Sequence, residues 1–316
     1  MKLCYGGIDL GGSFIKAGLL TKSGKQISKF KNPSGADKSP ATVKTNLLQA
    51  SDRLTDVAKS KGFKLVGLGV GSPGTVKYPE GIVTDSTPNI PGWIGTNVGR
   101  VFNGLDVPVK VDNDANCMAL AEHTLGSAMN FDSAFFLTIG TGIGGAVIHD
   151  GKLIRGSSHA AGEFGHMILK ANGRKCPGGH RGCVESYTAV PALLRAAKKY
   201  ARRFKSSLLH KNLNSLTTFN IFDAFKNNDK AAVMTIEEHA RFLGTAIGSV
   251  LMLLNPEIVV IGGGLSEGGS KYIKLLEKNI KEYAYLSATE NLKVRKARYV
   301  NDAGWIGAAC LNIVKS

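Results

Sequence analysis

The stretch that decides the fold reads Gly6-Gly-Ile-Asp-Leu-Gly-Gly-Ser-Phe-Ile-Lys16. An apolar strand runs into Asp9, and the pair Gly11 and Gly12 follows, with the hydroxyl of Ser13 beside it. Because glycine has no Cβ, the backbone can turn back sharply and bring its N–H groups and this hydroxyl to phosphate oxygens, while Asp9 orients hydrated Mg²⁺. The glycines open a hairpin and not a helix, so the stretch is neither a Walker loop nor a dinucleotide fingerprint. Taken alone, it also fits an ordinary turn.

A second segment repeats this pattern about half a chain later. An apolar strand over 134–139 runs into the cluster Gly140–Gly145, and a strand over 146–149 follows. We infer an internal duplication. A third cluster, Gly262–Gly264, ends the strand predicted at 258–261. Glycines can simply end strands, but ligands of α/β sheets collect beyond the carboxyl ends of strands, so three such clusters predict one shared nucleotide cleft.

Composition indicates a soluble globular protein. The chain has 316 residues, 43% of them hydrophobic, which is enough for two domains with their own cores. Asp9 interrupts any apolar core of a signal peptide, and the most apolar helix, near 243–254, is too short to span a bilayer. The five cysteines are odd in number and scattered, which argues against a disulfide framework. We therefore expect a cytoplasmic protein without a membrane partner.

Basic residues outnumber acidic ones by 40 to 24, and the formal net charge is +16. Part of the excess is local, because residues 186–221 contain no acid. Such a surface attracts polyanions, whether nucleic acid, a membrane or a phosphate donor. The basic residues at 195–211 nevertheless alternate with apolar ones at the spacing of a helix with one packed and one solvated face. We favour that interpretation and predict no nucleic-acid partner.

Two polar residues follow the strand predicted at 107–111 and precede a helical pattern over 115–125. These are Asn113 and Asp114. Asp114 fits the N-cap of the helix, the commonest role of Asp at such a place. A hydroxyl that attacks a γ-phosphoryl group also needs a nearby proton acceptor, and Asp114 is our candidate for that base.

Two further segments carry side chains suited to a polyhydroxylated substrate and to a metal. Glu163 and Glu185 can accept hydrogen bonds from substrate hydroxyls, and His166 can offer one ring nitrogen to a metal and the other to a hydroxyl. Cys176 and Cys183 provide thiolate donors suited to tetrahedral zinc. The alternative is two unrelated buried cysteines in a glycine-rich loop.

Taken together, these residues resemble the ROK family of sugar kinases and repressors, within the actin-like/hexokinase ATPase superfamily. The resemblance covers nearly the whole chain. Eight motifs carry it in order: Asp9-Leu-Gly-Gly-Ser13, Gly71-Ser-Pro-Gly74, Pro88-Asn-Ile-Pro-Gly-Trp93, Asp112-Asn-Asp-Ala-Asn116, Gly140-Thr-Gly-Ile-Gly-Gly145, Gly162-Glu-Phe-Gly-His166, Gly182-Cys-Val-Glu185 and Gly262-Gly-Gly264.

The resemblance implies an α/β protein with the two-lobed actin-like/ribonuclease H-like ATPase fold, each lobe a mixed sheet flanked by helices. Residues 1–114 plus 301–316 would form a small N-terminal lobe, and residues 115–300 a large C-terminal lobe. MgATP would lie between the lobes and a hexose in the hinge cleft. A homodimer is the family expectation.

Site roles are likewise implied by the resemblance. Asp114 would take the proton from the sugar 6-hydroxyl. The substrate-binding residues would be Asn89, Asn113, Asp114, Glu163, His166 and Glu185. Phosphates, Mg²⁺ and nucleotide would be bound by Asp9, Gly11, Gly12, Ser13, Thr141, Gly142, Gly262, Gly263 and Gly264.

Two positions depart from the family pattern. Zinc loops of the family usually read C-x-C-G-x-x-G-C, but Gly178 stands at the middle cysteine position here. The zinc ligands would then be His166, Cys176 and Cys183, with His180 or a water as the fourth, unless the site is empty. Phe14 stands where the family commonly has Lys, and the side chain of Lys16 need not face the cleft.

The sequence therefore predicts an ATP-dependent hexose kinase, with glucose as the leading acceptor. Kinases of N-acetylmannosamine, N-acetylglucosamine, mannose or fructose share much of the pattern, and a polyphosphate-dependent glucokinase would suit the basic surface. A sugar-sensing protein is the alternative of another class. Repressors of the family carry a helix-turn-helix domain before this unit, and we expect none here because the phosphate strand begins almost at Met1.

Overall fold

The computed structural model describes residues 1–85 and 90–314. Its first sheet is mixed and has the strand order β3-β2-β1-β4-β7, beside a two-stranded ribbon of β5 and β6. These strands are β1 (Lys2–Leu10), β2 (Phe14–Leu20), β3 (Gln26–Pro33), β4 (Phe63–Ser72), β5 (Val76–Lys77), β6 (Ile82–Val83) and β7 (Val109–Asn113).

The second sheet is also mixed and has the order β10-β9-β8-β11-β12. Its strands are β8 (Ala134–Ile139), β9 (Ile143–His149), β10 (Lys152–Ile154), β11 (Ile258–Gly262) and β12 (Lys293–Lys296).

The two sheets have the same topology. In the first, β1 pairs antiparallel with β2 and parallel with β4, and β4 pairs parallel with β7. In the second, β8 pairs antiparallel with β9 and parallel with β11, and β11 pairs parallel with β12. The two glycine hairpins occupy equivalent places, between β1 and β2 and between β8 and β9. This repeat agrees with the duplication inferred from the sequence.

Ten α-helices connect and cover the sheets in the described part of the chain. They are α1 (Pro40–Ser60), α2 (Asp114–Leu125), α3 (Glu185–Thr188), α4 (Val190–Arg203), α5 (Leu208–Lys211), α6 (Thr218–Lys226), α7 (Lys230–Leu254), α8 (Gly269–Glu282), α9 (Leu286–Thr289) and α10 (Ala303–Cys310).

Seven of the helices divide into three groups by the sheet faces that they cover. Helix α1 shares a hydrophobic core with one face of the first sheet, and α4, α6, α7 and α8 share another with one face of the second sheet. Side chains alternate along β8, so Phe135 and Leu137 enter that outer core, while Ala134 and Phe136 face the opposite way. Helices α2 and α10 fill the space between the two sheets, where a third core joins them.

The packing of α10 requires glycine where backbones meet. A Cβ at Gly7 of β1 would overlap the carbonyl oxygen of Trp305, and one at Gly69 of β4 would overlap that of Ala308. On the opposite side of α10, a Cβ at Gly307 would overlap the carbonyl oxygen of Cys117 in α2. Glycine therefore allows α10 to touch the first sheet and α2 at the same time.

Several element boundaries differ from the sequence predictions. The strand predicted at 146–149 begins earlier, at Ile143, and the helical pattern predicted over 195–211 is divided between α4, which ends at Arg203, and α5. The strand predicted at 107–111 begins and ends two residues later, because β7 continues its pairing with β4 as far as Asp112 and Asn113. The predicted packed face of α4 is confirmed by its buried apolar residues, whereas Arg195, Lys199, Arg202 and Arg203 are exposed. All five cysteines are free and buried.

No helix within the described residues combines the length and the apolar character needed to cross a membrane. The division into 1–114 plus 301–316 and 115–300 stays a prediction.

We expect Gly307→Ala to lower the free energy of unfolding by about 3 kcal/mol, because the added methyl group overpacks the contact between α10 and α2. In an unconstrained helix the same change stabilises by about 1 kcal/mol. Gly104→Ala is the matched control, since its Cβ meets no atom within 4 Å. Urea unfolding of both variants measures the difference, and equal stability would contradict the packing argument.

Candidate active site

Asp9 lies near the carboxyl end of β1, on the side of the first sheet that α10 covers. Its carboxyl group contacts Gly304 of α10, where a Cβ would collide with it. Burial raises the pKa of Asp9, and the ammonium group of Lys16 partly offsets that increase in pKa. Lys16 is opposite Asp9 in the register of β1 and β2, and its Nζ donates a 2.9 Å hydrogen bond to the carbonyl oxygen of Asn301. The side chain of Lys16 therefore lies near Asp9.

The first glycine hairpin is held by hydrogen bonds at both ends. The N–H of Gly11 donates to the carbonyl oxygen of Phe14 at 2.9 Å, which closes the turn. Ser34, just after β3, donates from its N–H to the carbonyl oxygen of Ser13 at 3.0 Å and from its Oγ to that of Gly12 at 2.7 Å. The Gly11 amide is thus used inside the turn, and Ser34 fixes the conformation of the two residues that follow.

The ring of Phe14 holds the positively charged side chain of Lys31 beside this hairpin. Its ring is 44% exposed, and the Nζ of Lys31 on β3 lies 3.4 Å from the ring centroid. Such a cation–π contact keeps an ammonium group beside the hairpin. Sequence reasoning missed Lys31, because an isolated lysine on a strand carries no signal of the ring that it covers.

Asn113, and not Asp114, is the N-cap of α2. Its Oδ1 accepts hydrogen bonds from the N–H groups of Ala115 at 2.8 Å and Asn116 at 3.2 Å, and its Nδ2 donates to the carbonyl oxygen of Gly74 at 3.0 Å. Asp114 is the first residue of the helix, and its Oδ1 accepts from the N–H of Ala115 at 2.8 Å. The capping role that the sequence left open for Asp114 therefore belongs to its neighbour.

Asp114 lies in an acidic and poorly hydrated environment. Burial raises the pKa of Asp114 to about 7, and the negative charges of Asp9 and, more weakly, Glu163 act in the same direction on that pKa. The N–H of Ala115 opposes the increase. A carboxyl group with a pKa near neutrality is suited to accept a proton from a hydroxyl and release it again. The fold thus places the carboxyl groups of Asp9 and Glu163 close enough to Asp114 to act on its pKa.

His166 lies between the carboxylate of Glu163 and the cysteine cluster. Its Nε2 is 3.9 Å from Glu163 Oε2, and its Nδ1 is 4.0 Å from the Sγ of Cys176. Burial raises the pKa of Glu163, and the nearby His166 opposes that increase. One ring nitrogen therefore faces the side of the cleft that carries carboxylates, and the other faces thiols, as the dual use predicted for this imidazole requires.

The second and third glycine clusters adjoin at the ends of β8 and β11. Glu185 Oε2 accepts a 2.9 Å hydrogen bond from the N–H of Ile143, and a Cβ at Gly142 would meet that same oxygen. Gly263 has a left-handed φ of 75° and packs against Ile139, where a side chain would not fit. Both clusters are linked to α2, since Gly144 contacts Ala115 and Gly262 contacts Met118. The N-terminal half of α2 is thus the common neighbour of the second and third glycine clusters.

Three of the predicted zinc ligands meet in the structure. Within the described residues, donor atoms of His166, Cys176 and Cys183 all lie within 4.8 Å of one another. Burial, followed by the neighbouring Cys176 thiol, raises the pKa of Cys183 to about 11. Two sulfurs and an imidazole fit the donor preference of zinc, and these residues would hold it. His180 is exposed and lies outside this cluster of described donor atoms.

Gly178 lies beside the imidazole of this cluster. A Cβ placed on it would lie 3.5 Å from Cε1 and 3.6 Å from Nδ1 of His166. The predicted sugar ligand Asn89 lies outside the described residues, so its place in the site stays a prediction.

The chain matches the model of the ROK family over residues 5–315 and belongs to that family. Among curated proteins, it is 33% identical over 313 residues to the glucokinase of Halalkalibacterium halodurans, covering 97% of this chain and 94% of that protein. It is 30% identical over 322 residues to the N-acetyl-D-glucosamine kinase of Yersinia enterocolitica, and the match covers 98% of this chain and 100% of that protein. The predicted identity as a ROK-family sugar kinase, and with it the predicted enzyme class, is confirmed.

Among solved structures, the fold is similar to that of a ROK family glucokinase from Streptomyces griseus in complex with glucose and AMPPNP. The TM-score is 0.84 at 28% sequence identity, and the match covers 98% of each chain. The α/β class, with two mixed sheets flanked by helices in an actin-like arrangement, is therefore confirmed.

We expect Gly178→Cys to raise zinc affinity, because its sulfur would add a third thiolate to the cluster of His166, Cys176 and Cys183. Loss of a side chain that only hydrogen-bonds to a metal ligand already costs roughly 10–100-fold in metal affinity, so a sulfur bound to the metal itself should raise the affinity at least about tenfold. Competition with a chromophoric chelator measures the affinity. Gly178→Ala adds the Cβ without a donor and serves as the control. Equal affinities of the two variants would contradict the assignment, as would wild-type affinity in Cys176→Ser.

Proposed function

We propose that this protein is a glucokinase that transfers the γ-phosphoryl group of MgATP to the 6-hydroxyl of glucose. The observation that carries the proposal is the environment of Asp114. Its pKa is raised to about 7 by burial and by Asp9, which belongs to the glycine hairpin suited to phosphate. The Glu163 carboxylate, which belongs to the hydroxyl-binding set, acts on the same group. A proton acceptor between a phosphate-type loop and a sugar-type set is what a sugar kinase needs.

Asp114 acts as the general base. In its ionised form it accepts the proton of the sugar hydroxyl as the oxygen attacks the γ-phosphorus, and the bond from that phosphorus to the β,γ-bridging oxygen breaks. Phosphoryl transfer needs little covalent help from the protein, so most of the acceleration comes from positioning and from stabilising the developing charge. The cap made by Asn113 and the first turn of α2 hold Asp114 in place.

Sugar hydroxyls need hydrogen-bond acceptors and donors near the base. We assign this role to Asn89, Asn113, Glu163, His166 and Glu185, together with Asp114. Glu185 has one oxygen committed to the N–H of Ile143, which leaves the other for substrate. Asn113 has both lone pairs of Oδ1 engaged, so its contribution is through Nδ2.

Phosphates and Mg²⁺ are assigned to the glycine clusters. Mg²⁺ would neutralise charge on the β- and γ-phosphates, and Asp9 is the residue that would orient its water ligands. The remaining contacts would come from Gly12, Ser13, Thr141, Gly142 and, toward the nucleoside, Gly262, Gly263 and Gly264. Gly11 would contribute by closing the turn, since its N–H is hydrogen-bonded to Phe14. We also expect a homodimer. Closure of the cleft on the sugar would limit wasteful hydrolysis of ATP.

An N-acetylhexosamine is the second candidate acceptor. The sequence identity to an N-acetyl-D-glucosamine kinase, 30% over 98% of this chain, is close to the 33% identity to a glucokinase. The carboxylates and imidazole of the site suit hydroxyls that both sugars share, so they do not rank the two.

The deciding experiment is ADP release from MgATP by purified protein with no sugar, glucose, mannose, fructose, N-acetylglucosamine or N-acetylmannosamine. We expect strong stimulation by glucose, and stimulation by another sugar instead would replace glucose as acceptor. Substituting polyphosphate for ATP tests the donor. Turnover that no sugar stimulates with either donor would refute the proposal.

We expect Asp114→Ala to lower kcat by about 10²–10⁴-fold, the range that general base catalysis contributes, while sugar binding stays measurable. Isothermal titration with glucose separates the two effects. Asp150→Ala is the control, because the Asp150 side chain is 82% exposed. Near-normal turnover of Asp114→Ala would remove Asp114 from the catalytic role.

The pH dependence offers an independent check on Asp114. Because burial raises its pKa to about 7, the base form predominates above that pH and is lost below it. Initial rates with both substrates well below saturation follow the free enzyme, so they should fall about tenfold per pH unit below pH 7. Asp9→Asn removes a negative charge that raises this pKa. The pH below which the residual activity declines should therefore be lower in this variant than in the wild type. A flat profile from pH 5.5 to 8.5 would contradict the assignment.

A further inference from the structure

Arg155 and Asp112 form an ion pair that joins the two halves of the molecule. Nε and Nη2 of Arg155 lie 2.8 and 2.7 Å from Oδ2 of Asp112. The side chain of Asp112 is 1% exposed, and that of Arg155 is 22% exposed. Asp112 belongs to β7 in the first sheet, whereas Arg155 directly follows β10 in the second. A charge buried to this degree depends on its partner for compensation.

The other oxygen of Asp112 holds the segment that carries the base. Its Oδ1 accepts a 2.8 Å hydrogen bond from the N–H of Asn113 and another of 2.8 Å from Nδ2 of Asn116. Asn113 is the N-cap of α2, and Asp114 is the next residue. The orientation of the Asp112 carboxylate therefore bears directly on where the first turn of α2, and with it Asp114, is placed.

Arg155 in turn holds the segment that carries the sugar-binding side chains. Its carbonyl oxygen accepts a 3.0 Å hydrogen bond from the N–H of Ala161, and its guanidinium lies 3.9 Å from the ring centroid of Tyr78. The loop that begins at Arg155 then passes Gly162, which packs against Gly145 of β9, and reaches Glu163. Arg155 thus fixes the first residue of the loop whose last residues face the cleft.

We propose that Arg155 is a positioning residue for phosphoryl transfer: through Asp112 it keeps the base segment at 113–114 and the loop at 155–166 in one fixed relation. The inference rests on the proposed function for its catalytic meaning. Arginine suits the task because its planar guanidinium donates twice to one carboxylate and stacks on an aromatic ring. Replacing a buried ion pair by apolar groups often leaves stability unchanged, so stability alone does not account for this pair.

The size of the expected effect follows from the distances that catalysis tolerates. A displacement of about 1 Å at the reacting groups costs on the order of 100-fold in rate. Arg155→Met keeps the aliphatic stem but removes the charge, so we expect kcat to fall by about that factor. KM for MgATP should change much less, because neither Arg155 nor Asp112 belongs to the nucleotide-binding set.

The experiment compares Arg155→Met, Arg155→Lys, Asp112→Asn and the double variant Arg155→Met/Asp112→Asn. Lysine restores the charge without the paired donors, so it should recover part of the lost kcat. If the two residues act as one unit, the double variant should be no worse than Arg155→Met alone. The double variant also carries no uncompensated buried charge, so it keeps the test readable if Arg155→Met fails to fold.

Lys29→Met is the matched control. Lys29 also makes a 2.7 Å ion pair across a long stretch of chain, with Asp302, but it contacts neither the base segment nor the sugar loop. We expect this variant to keep the kcat and KM of the wild type.

Amide hydrogen exchange supplies a readout that does not need activity. Arg155→Met should accelerate exchange both at Asn113, whose N–H donates to Asp112, and in the peptide 156–163, while Lys29→Met should leave both unchanged. If the wild type phosphorylates no hexose, the proposed function fails, but exchange still decides whether Arg155 couples the two segments. Wild-type kcat and unchanged exchange in folded Arg155→Met would overturn the inference. So would an equal loss in Lys29→Met.

Discussion

The site depends on the contact between α2 and α10 in the space between the two sheets. Helix α10 packs on the first sheet, α2 contacts both sheets, and the two helices touch backbone to backbone at Gly307 and Cys117. Because the chain supplies glycine at Gly7 and Gly69 as well, α10 can lie directly on the first sheet. This close packing brings the carboxyl edges of both sheets to the N-terminal end of α2. The second and third glycine clusters then adjoin this helix, and the charge of Asp9, from the strand before the first hairpin, acts on Asp114 at its start.

The consequence is a concentration of carboxylates in a protein that is otherwise strongly basic. Burial raises the pKa of Asp9, Asp114 and Glu163, and the negative charges of Asp9 and Glu163 raise that of Asp114 further. Like charges in a poorly hydrated place are costly, so the structure offsets them selectively. Lys16 lies beside Asp9, and His166 lies beside Glu163. The two strongest influences on the pKa of Asp114, burial and the charge of Asp9, both raise it. The electrostatic arrangement thus leaves Asp114 as the carboxyl group poised to exchange a proton near neutral pH.

Local sequence signals predicted the repeated hairpins, most strands and the position of Asp114, because glycine clusters and alternating apolar residues report backbone geometry directly. The N-cap was harder to assign, since Asn113 and Asp114 are both good capping residues and only the end of β7 decides between them. Arg155 gave no signal at all. Its partner is 43 residues away, and an arginine after a short strand is ordinary on a surface. Long-range ion pairs of this kind become visible only when the fold brings the two sheets together.

His166 links the cysteine cluster, where Gly178 departs from the family pattern, to the carboxylate of Glu163. An imidazole that binds a metal through Nδ1 must carry its proton on Nε2, which makes that nitrogen a donor. In this geometry Nε2 faces Glu163, so a metal bound at the cysteine cluster would make the histidine a donor toward that carboxylate. With Gly178 in place of a third cysteine, the cluster holds fewer thiolates than the family pattern provides. A metal held by this cluster would therefore fix the tautomer of His166 less firmly than a cluster with a third cysteine would.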